Sequence, residues 1–86
     1  MSINASSVTV TTSATALASA DSDQDEVAIT NTGATDVYVG PSGVTTASGF
    51  PVAAGGSLSV TLPAGETIYG IVASGTEACR VLKVNS

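Results

Sequence analysis

Apolar and polar residues alternate with a period of two along most of this 86-residue chain. Val8-Thr9-Val10-Thr11-Thr12 opens the series, followed by Glu26-Val27-Ala28-Ile29-Thr30 and Asp36-Val37-Tyr38-Val39. Ser57-Leu58-Ser59-Val60-Thr61-Leu62 is the cleanest alternation, and Thr67-Ile68-Tyr69-Gly70-Ile71-Val72 and Ala78-Cys79-Arg80-Val81-Leu82-Lys83-Val84 close the chain. A period of two sends successive side chains to opposite faces of an extended strand. Alternate Val, Ile and Leu then reach one core while Thr, Ser and charge face water. Val, Ile and Thr also suit the half-buried surface of a pleated sheet. Thr15-Ala16-Leu17-Ala18-Ser19-Ala20 is the best helical candidate, but it is too short and reads as a strand or an ordered connection.

Turn signals interrupt the alternation at short intervals: Asn31-Thr32-Gly33, Gly40-Pro41-Ser42-Gly43, Gly49-Phe50-Pro51, Gly55-Gly56 and Pro63-Ala64-Gly65. Glycine and proline each favour chain reversal through their backbone angles. Many short strands with frequent turns predict an all-β fold, a small antiparallel β-sandwich or barrel of about seven strands. Residues 1–7 lack a strand pattern and read as a flexible N-terminal arm, with 8–86 as a single β domain. Asn31 and Gly33 are placed to close a hairpin between the Val27/Ile29 and Val37/Val39 strands.

Composition narrows what such a domain does. Of the residues, 43% are hydrophobic and only 10% charged, against about 25% charged in ordinary soluble domains. A domain this small buries roughly 60–70% of its unfolded surface, and Cys79, the one cysteine, has no partner within the chain. Oligomerisation is the remaining staple, so a homo-oligomer is expected. Net charge is −5, with two basic residues, Arg80 and Lys83. Two cations do not make a phosphate-binding footprint, so no nucleic-acid partner is expected, nor an anionic membrane surface. The segment Met1-Ser2-Ile3-Asn4-Ala5-Ser6-Ser7 has neither the basic nor the apolar region of a signal peptide. No apolar run approaches the roughly 20 residues that span a bilayer. The expectation is a soluble chain made in the cytoplasm.

Candidate chemistry is sparse. The chain has no histidine, the side chain that most often titrates near neutrality in catalysis. Asp21-Ser22-Asp23-Gln24-Asp25-Glu26 has the alternating Asp that opens a calcium loop, but Glu26 stands where the loop needs Gly and Thr32 where it needs a bidentate Glu. It reads as a solvated acidic turn, with loose cation binding as the alternative. Lys83 lies on an alternating strand, most simply facing water, and Cys79 reads as a buried structural thiol. No catalytic residue, metal site or cofactor is expected, and the chain is read as no enzyme. Tyr38, Tyr69 and Phe50 are the only aromatics, and scattered singly they are core or edge residues rather than a sugar-stacking platform.

Residues 27–40, Val-Ala-Ile-Thr-Asn-Thr-Gly-Ala-Thr-Asp-Val-Tyr-Val-Gly, continue through Val44-Thr45-Thr46-Ala47-Ser48-Gly49-Phe50-Pro51-Val52 to Ser57-Leu58-Ser59-Val60-Thr61-Leu62. A strand ending in Asn-x-Gly, a VYVG strand, a VT…GFP connection and an SLSVTL strand, over residues 26 to 73, resemble small all-β structural proteins of tailed bacteriophages. These proteins decorate or cement capsids or form parts of fibres. The resemblance implies a virion protein, most simply a capsid decoration (cement) protein on the head shell. Its partner would be the major capsid protein or another virion protein, and a seat on a capsid joint favours a trimer over a dimer. The alternative is a receptor- or glycan-binding module of a tail or head fibre. The pattern carries no catalytic residues. Ser2, Ile3, Phe50, Pro51 and Val52 are the expected interface residues, Phe50 anchoring either in the core or in an adjacent subunit.

Overall fold

A computed structural model of the protein describes residues 2–20 and 24–85. Eight strands form: β1 (Ser2–Val10), β2 (Thr15–Ser19), β3 (Asp25–Asn31) and β4 (Val37–Gly40), then β5 (Phe50–Val52), β6 (Ser57–Leu62), β7 (Thr67–Ile71) and β8 (Glu77–Asn85). They make two four-stranded antiparallel sheets, sheet A in the order β1-β8-β3-β6 and sheet B in the order β2-β7-β4-β5. The pairing is nested. β1 lies on β8, β2 on β7, β3 on β6 and β4 on β5, as in one long ribbon folded back between β4 and β5. Rolling that ribbon up adds the β3–β8 and β4–β7 pairs that complete each sheet. The result is an eight-stranded jelly-roll sandwich.

The core lies between the sheets. Val10, Val27, Ile29, Leu62, Cys79 and Val81 enter it from sheet A, and Leu17, Val37, Val39, Val52 and Ile68 from sheet B. On β3 every second residue from Asp25 to Asn31 is buried, as the alternation predicts. Among the described residues, no aromatic ring belongs to this core. Gly70 lets β7 come close: a Cβ there would stand 3.1 Å from Leu17 and 3.4 Å from Val10 and Val37. The missing side chain is what lets Leu17 fill the centre.

The β3–β4 connection departs from the expected hairpin. β3 is flanked on both edges by β8 and β6, while β4 belongs to the other sheet, so the chain crosses between sheets instead of doubling back. Asn31 drives the crossing. It is fully buried, its Nδ2 donates to Thr35 O at 2.7 Å and Val52 O at 3.0 Å, and its Oδ1 accepts from Gly33 N at 2.9 Å. Its main chain also exchanges bonds with Gly55 and Gly56 in the β5–β6 turn. Glu77 fixes the far side of the crossing, accepting from Ala34 N, Thr35 N and the Thr35 hydroxyl. A Cβ on Gly33 would stand 2.0 Å from Glu77 Oε1, so only glycine leaves room for this carboxylate. Val27, Ile29, Val37 and Val39 do share one core, but from opposite sheets.

Four further expectations are corrected. Residues 2–7, read as an arm, lie in β1, in continuous register with Arg80 to Asn85. The order comes from β8, whose nine residues extend the ladder past the apolar part of β1. An eighth strand, β5, sits in what reads as a loop; its Pro51 is tolerated because β5 is a sheet edge. Lys83 turns inward rather than to water. Its Nζ lies 3.5 Å from the buried Asp25 carboxylate and donates to Ser19 O at 2.7 Å, tying the sheets together. Asp25 therefore belongs to the interior and not to a solvated turn, while Asp21, Ser22 and Asp23 lie outside the described residues.

Replacing Asn31 with Ala strands three buried or half-buried partners at once. Urea unfolding followed by circular dichroism is expected to show a loss of about 2–4 kcal/mol. The hydrogen bonds from Thr35, then Ala34, hold the Glu77 carboxyl below its ordinary value of 4.5. Its contribution is complete above that ordinary value and disappears as pH falls through the lowered one. Glu77→Gln should therefore flatten the decline of thermal midpoint on acidification below about pH 4.5 and leave the neutral-side slope unchanged.

Candidate functional site

Side-chain parity assigns what each sheet shows to its surroundings. On sheet A the outward positions form cross-strand rows. Ile3, Val84, Glu26 and Thr61 make one row, Ala5, Leu82, Ala28 and Ser59 the next, and Ser7, Arg80, Thr30 and Ser57 the third. Ile3 is 68% exposed and Leu82 43%, two of the three large apolar side chains left in solvent among the described residues. Alanine and serine flank Leu82 on its row, so it stands as a ridge between two shallow grooves of about 470 and 320 Å³.

Sheet B presents a different surface. Tyr38 and Ile71 are cross-strand partners, and Tyr69 lies opposite Gly40 one step along the same pair of strands. The two tyrosines therefore share one face as diagonal neighbours, half-buried, with Pro51 beside Tyr38 on the β5 edge. Reading the aromatics as singly scattered missed this. Parity alone gave the signal, since Tyr38 alternates with the buried Val37 and Val39, and Tyr69 with Ile68 and Gly70. Where the β3–β4 and β7–β8 turns meet, Thr35, Asp36, Tyr38, Ala73 and Ser74 line a shallow pocket of about 210 Å³.

The expected interface residues separate in the fold. Ser2 and Ile3 lie at the start of β1 on the edge of sheet A, and Phe50 and Pro51 on β5 at the edge of sheet B. Phe50 is 62% exposed, which removes the core as its place. Val52 goes the other way: paired with Val37, it is buried in this chain's own core and has no surface for a partner.

The reactive groups are absorbed by structure. Lys83 is held by Asp25 and Ser19. Burial, reinforced by the negative charge of Glu77, pushes the Cys79 thiol up, away from the reactive thiolate. Arg80 points to the opposite face from Cys79, as neighbouring strand residues do. Among the described residues, no three His, Cys, Asp or Glu side chains gather where they could hold a metal ion.

No protein-family profile and no curated protein sequence matches the chain. Among solved structures, it is similar to a protein from the work "Bacillus endospore appendages form a novel family of disulfide-linked pili", with 19% identity and a TM-score of 0.62. The match covers 98% of this chain and 85% of that one, nearly the whole of both folds. At this identity the likeness establishes the architecture: an all-β sandwich of the kind found in a structural appendage protein.

Proposed function

We propose that this protein is a non-enzymatic structural subunit of a large protein assembly, specifically a decoration protein that cements the head shell of a tailed bacteriophage. The observation that carries the reading is where the side chains are spent. The amine, the thiol and the Glu77 carboxylate serve the interior and the turns, while the outer surface keeps Ile3, Leu82 and Phe50. Exposed apolar side chains of this kind are what a binding surface needs. A shell joint under internal pressure gains from apolar area laid across it, and a flat sandwich of 36 × 23 × 15 Å offers broad faces for that. The sequence resemblance to phage structural proteins supports the virion setting. The fold shared with a pilus-forming appendage protein supports the broader reading of an assembly subunit.

The appendage protein is described as disulfide-linked. In this chain Cys79 is fully buried, so the proposed assembly is non-covalent. A soluble thiol reagent is expected to leave Cys79 unmodified in the native protein and to react fully after unfolding. Native-state labelling at the rate of a free thiol would contradict its burial.

Cryo-electron microscopy of the assembled particle tests the main reading. Density for this sandwich at joints between capsid subunits is expected, and density confined to the tail, or absent from the particle, would refute the decoration role. A second reading, a glycan-binding module, draws support from the pocket that sets the Tyr38 ring beside Asp36, Thr35 and Ser74. An aromatic face with nearby hydroxyl and carboxylate groups is suited to a sugar. Glycan-array binding lost in Tyr38→Ala, with the fold intact, would select it.

A further inference from the structure

We propose that the outer face of sheet A is self-complementary and docks a second copy of this chain about a two-fold axis. This goes beyond the assembly role above and concerns the isolated protein, with or without a shell. The face has a built order. Its middle row centres on Leu82, flanked by Ala5 and Ala28. One row to one side, on β8, stands Arg80; one row to the other side, on β3, stands Glu26. The groove on one side of the Leu82 ridge is lined by Arg80, the groove on the other by Glu26.

The charges select the occupant. The chain has two basic residues, and Lys83 is bound inside by Asp25 and Ser19. Arg80 is thus the cation left for the surface, and neither it nor Glu26 has an ion-pair partner among the described residues. A matching surface must present an apolar centre, a carboxylate across from Arg80 and a cation across from Glu26. This same face, turned over, has all three. A two-fold axis lying in the face, through the midpoint of Arg80 and Glu26 and perpendicular to the line joining them, exchanges the two positions; because they stand on neighbouring strands, it crosses the strands obliquely. It sets Arg80 of each copy over Glu26 of the other and brings the two Leu82 ridges together. Such an isologous contact repeats every interaction twice and closes at two copies.

Size fits as well. A standard interface takes roughly 800 Å² from each partner, about the extent of one broad face of a molecule measuring 36 × 23 Å across. A dimer on this face differs from the trimer that a seat on a capsid joint would favour. It leaves the tyrosine face of sheet B open to other partners.

Sedimentation velocity on the full chain at micromolar concentrations tests the proposal, with circular dichroism as the folding control. Wild type is expected to be a dimer. Arg80→Glu and Glu26→Arg each set like charges together at both ends of the interface and should weaken the dimer at least tenfold. The double variant E26R/R80E restores the pairing with signs reversed and should recover the dimer. Leu82→Asp should abolish it. All four change outward side chains, so the melting of the monomeric domain should be retained. A wild type that stays monomeric, an oligomer of another order, a dimer untouched by Leu82→Asp, or a double variant as weak as the singles would each overturn the proposal. None of these outcomes depends on a capsid, so the decoration role stands or falls separately.

Discussion

The buried carboxamide of Asn31 holds together parts of the chain that no strand ladder joins. Its side chain binds the β3–β4 crossing through Gly33 and Thr35 and the end of β5 through Val52, while its main chain binds the turn before β6. A buried amide left without partners costs heavily, whereas a fully bonded one specifies a single arrangement. The rest of the core is nearly all Val, Leu and Ile, side chains that repack with small penalties when volume is kept. Apolar burial supplies the drive to collapse. The amide determines that the ribbon rolls into two sheets at this crossing rather than closing a hairpin there.

Much of the architecture was legible in the alternation. Parity placed Val27, Ile29, Val37, Val39 and Cys79 in the core correctly, and the Pro63-Ala64-Gly65 turn fell between strands. What period two cannot encode is which strand lies beside which, because the same pattern serves a hairpin neighbour and a strand from the opposite sheet. Asn31-Thr32-Gly33 was misread for that reason. β5 escaped because three residues with a proline among them show no alternation, and the start of β1 because its order derives from β8.

The candidate surfaces show a subtler lesson. Lys83 shares parity with Cys79 and Val81, and Asp25 shares it with Val27 and Ile29. Two opposite charges at core parity on strands that proved adjacent were the signature of an internal ion pair. Treating charge as a sign of solvent hid it. The outward residues were equally readable one strand at a time. Their assembly into the Leu82 face and the tyrosine face required the strand order, which only the folded chain supplies.

The surface placement of Tyr38 and Tyr69 has an optical consequence. The chain has no tryptophan, so its intrinsic fluorescence comes from two phenols that sit outside the apolar core. Emission from these rings follows their immediate surroundings on sheet B rather than the packing between the sheets. Anything settling onto the tyrosine face would alter that signal directly. The protein thus carries a built-in reporter for occupancy of one of its surfaces.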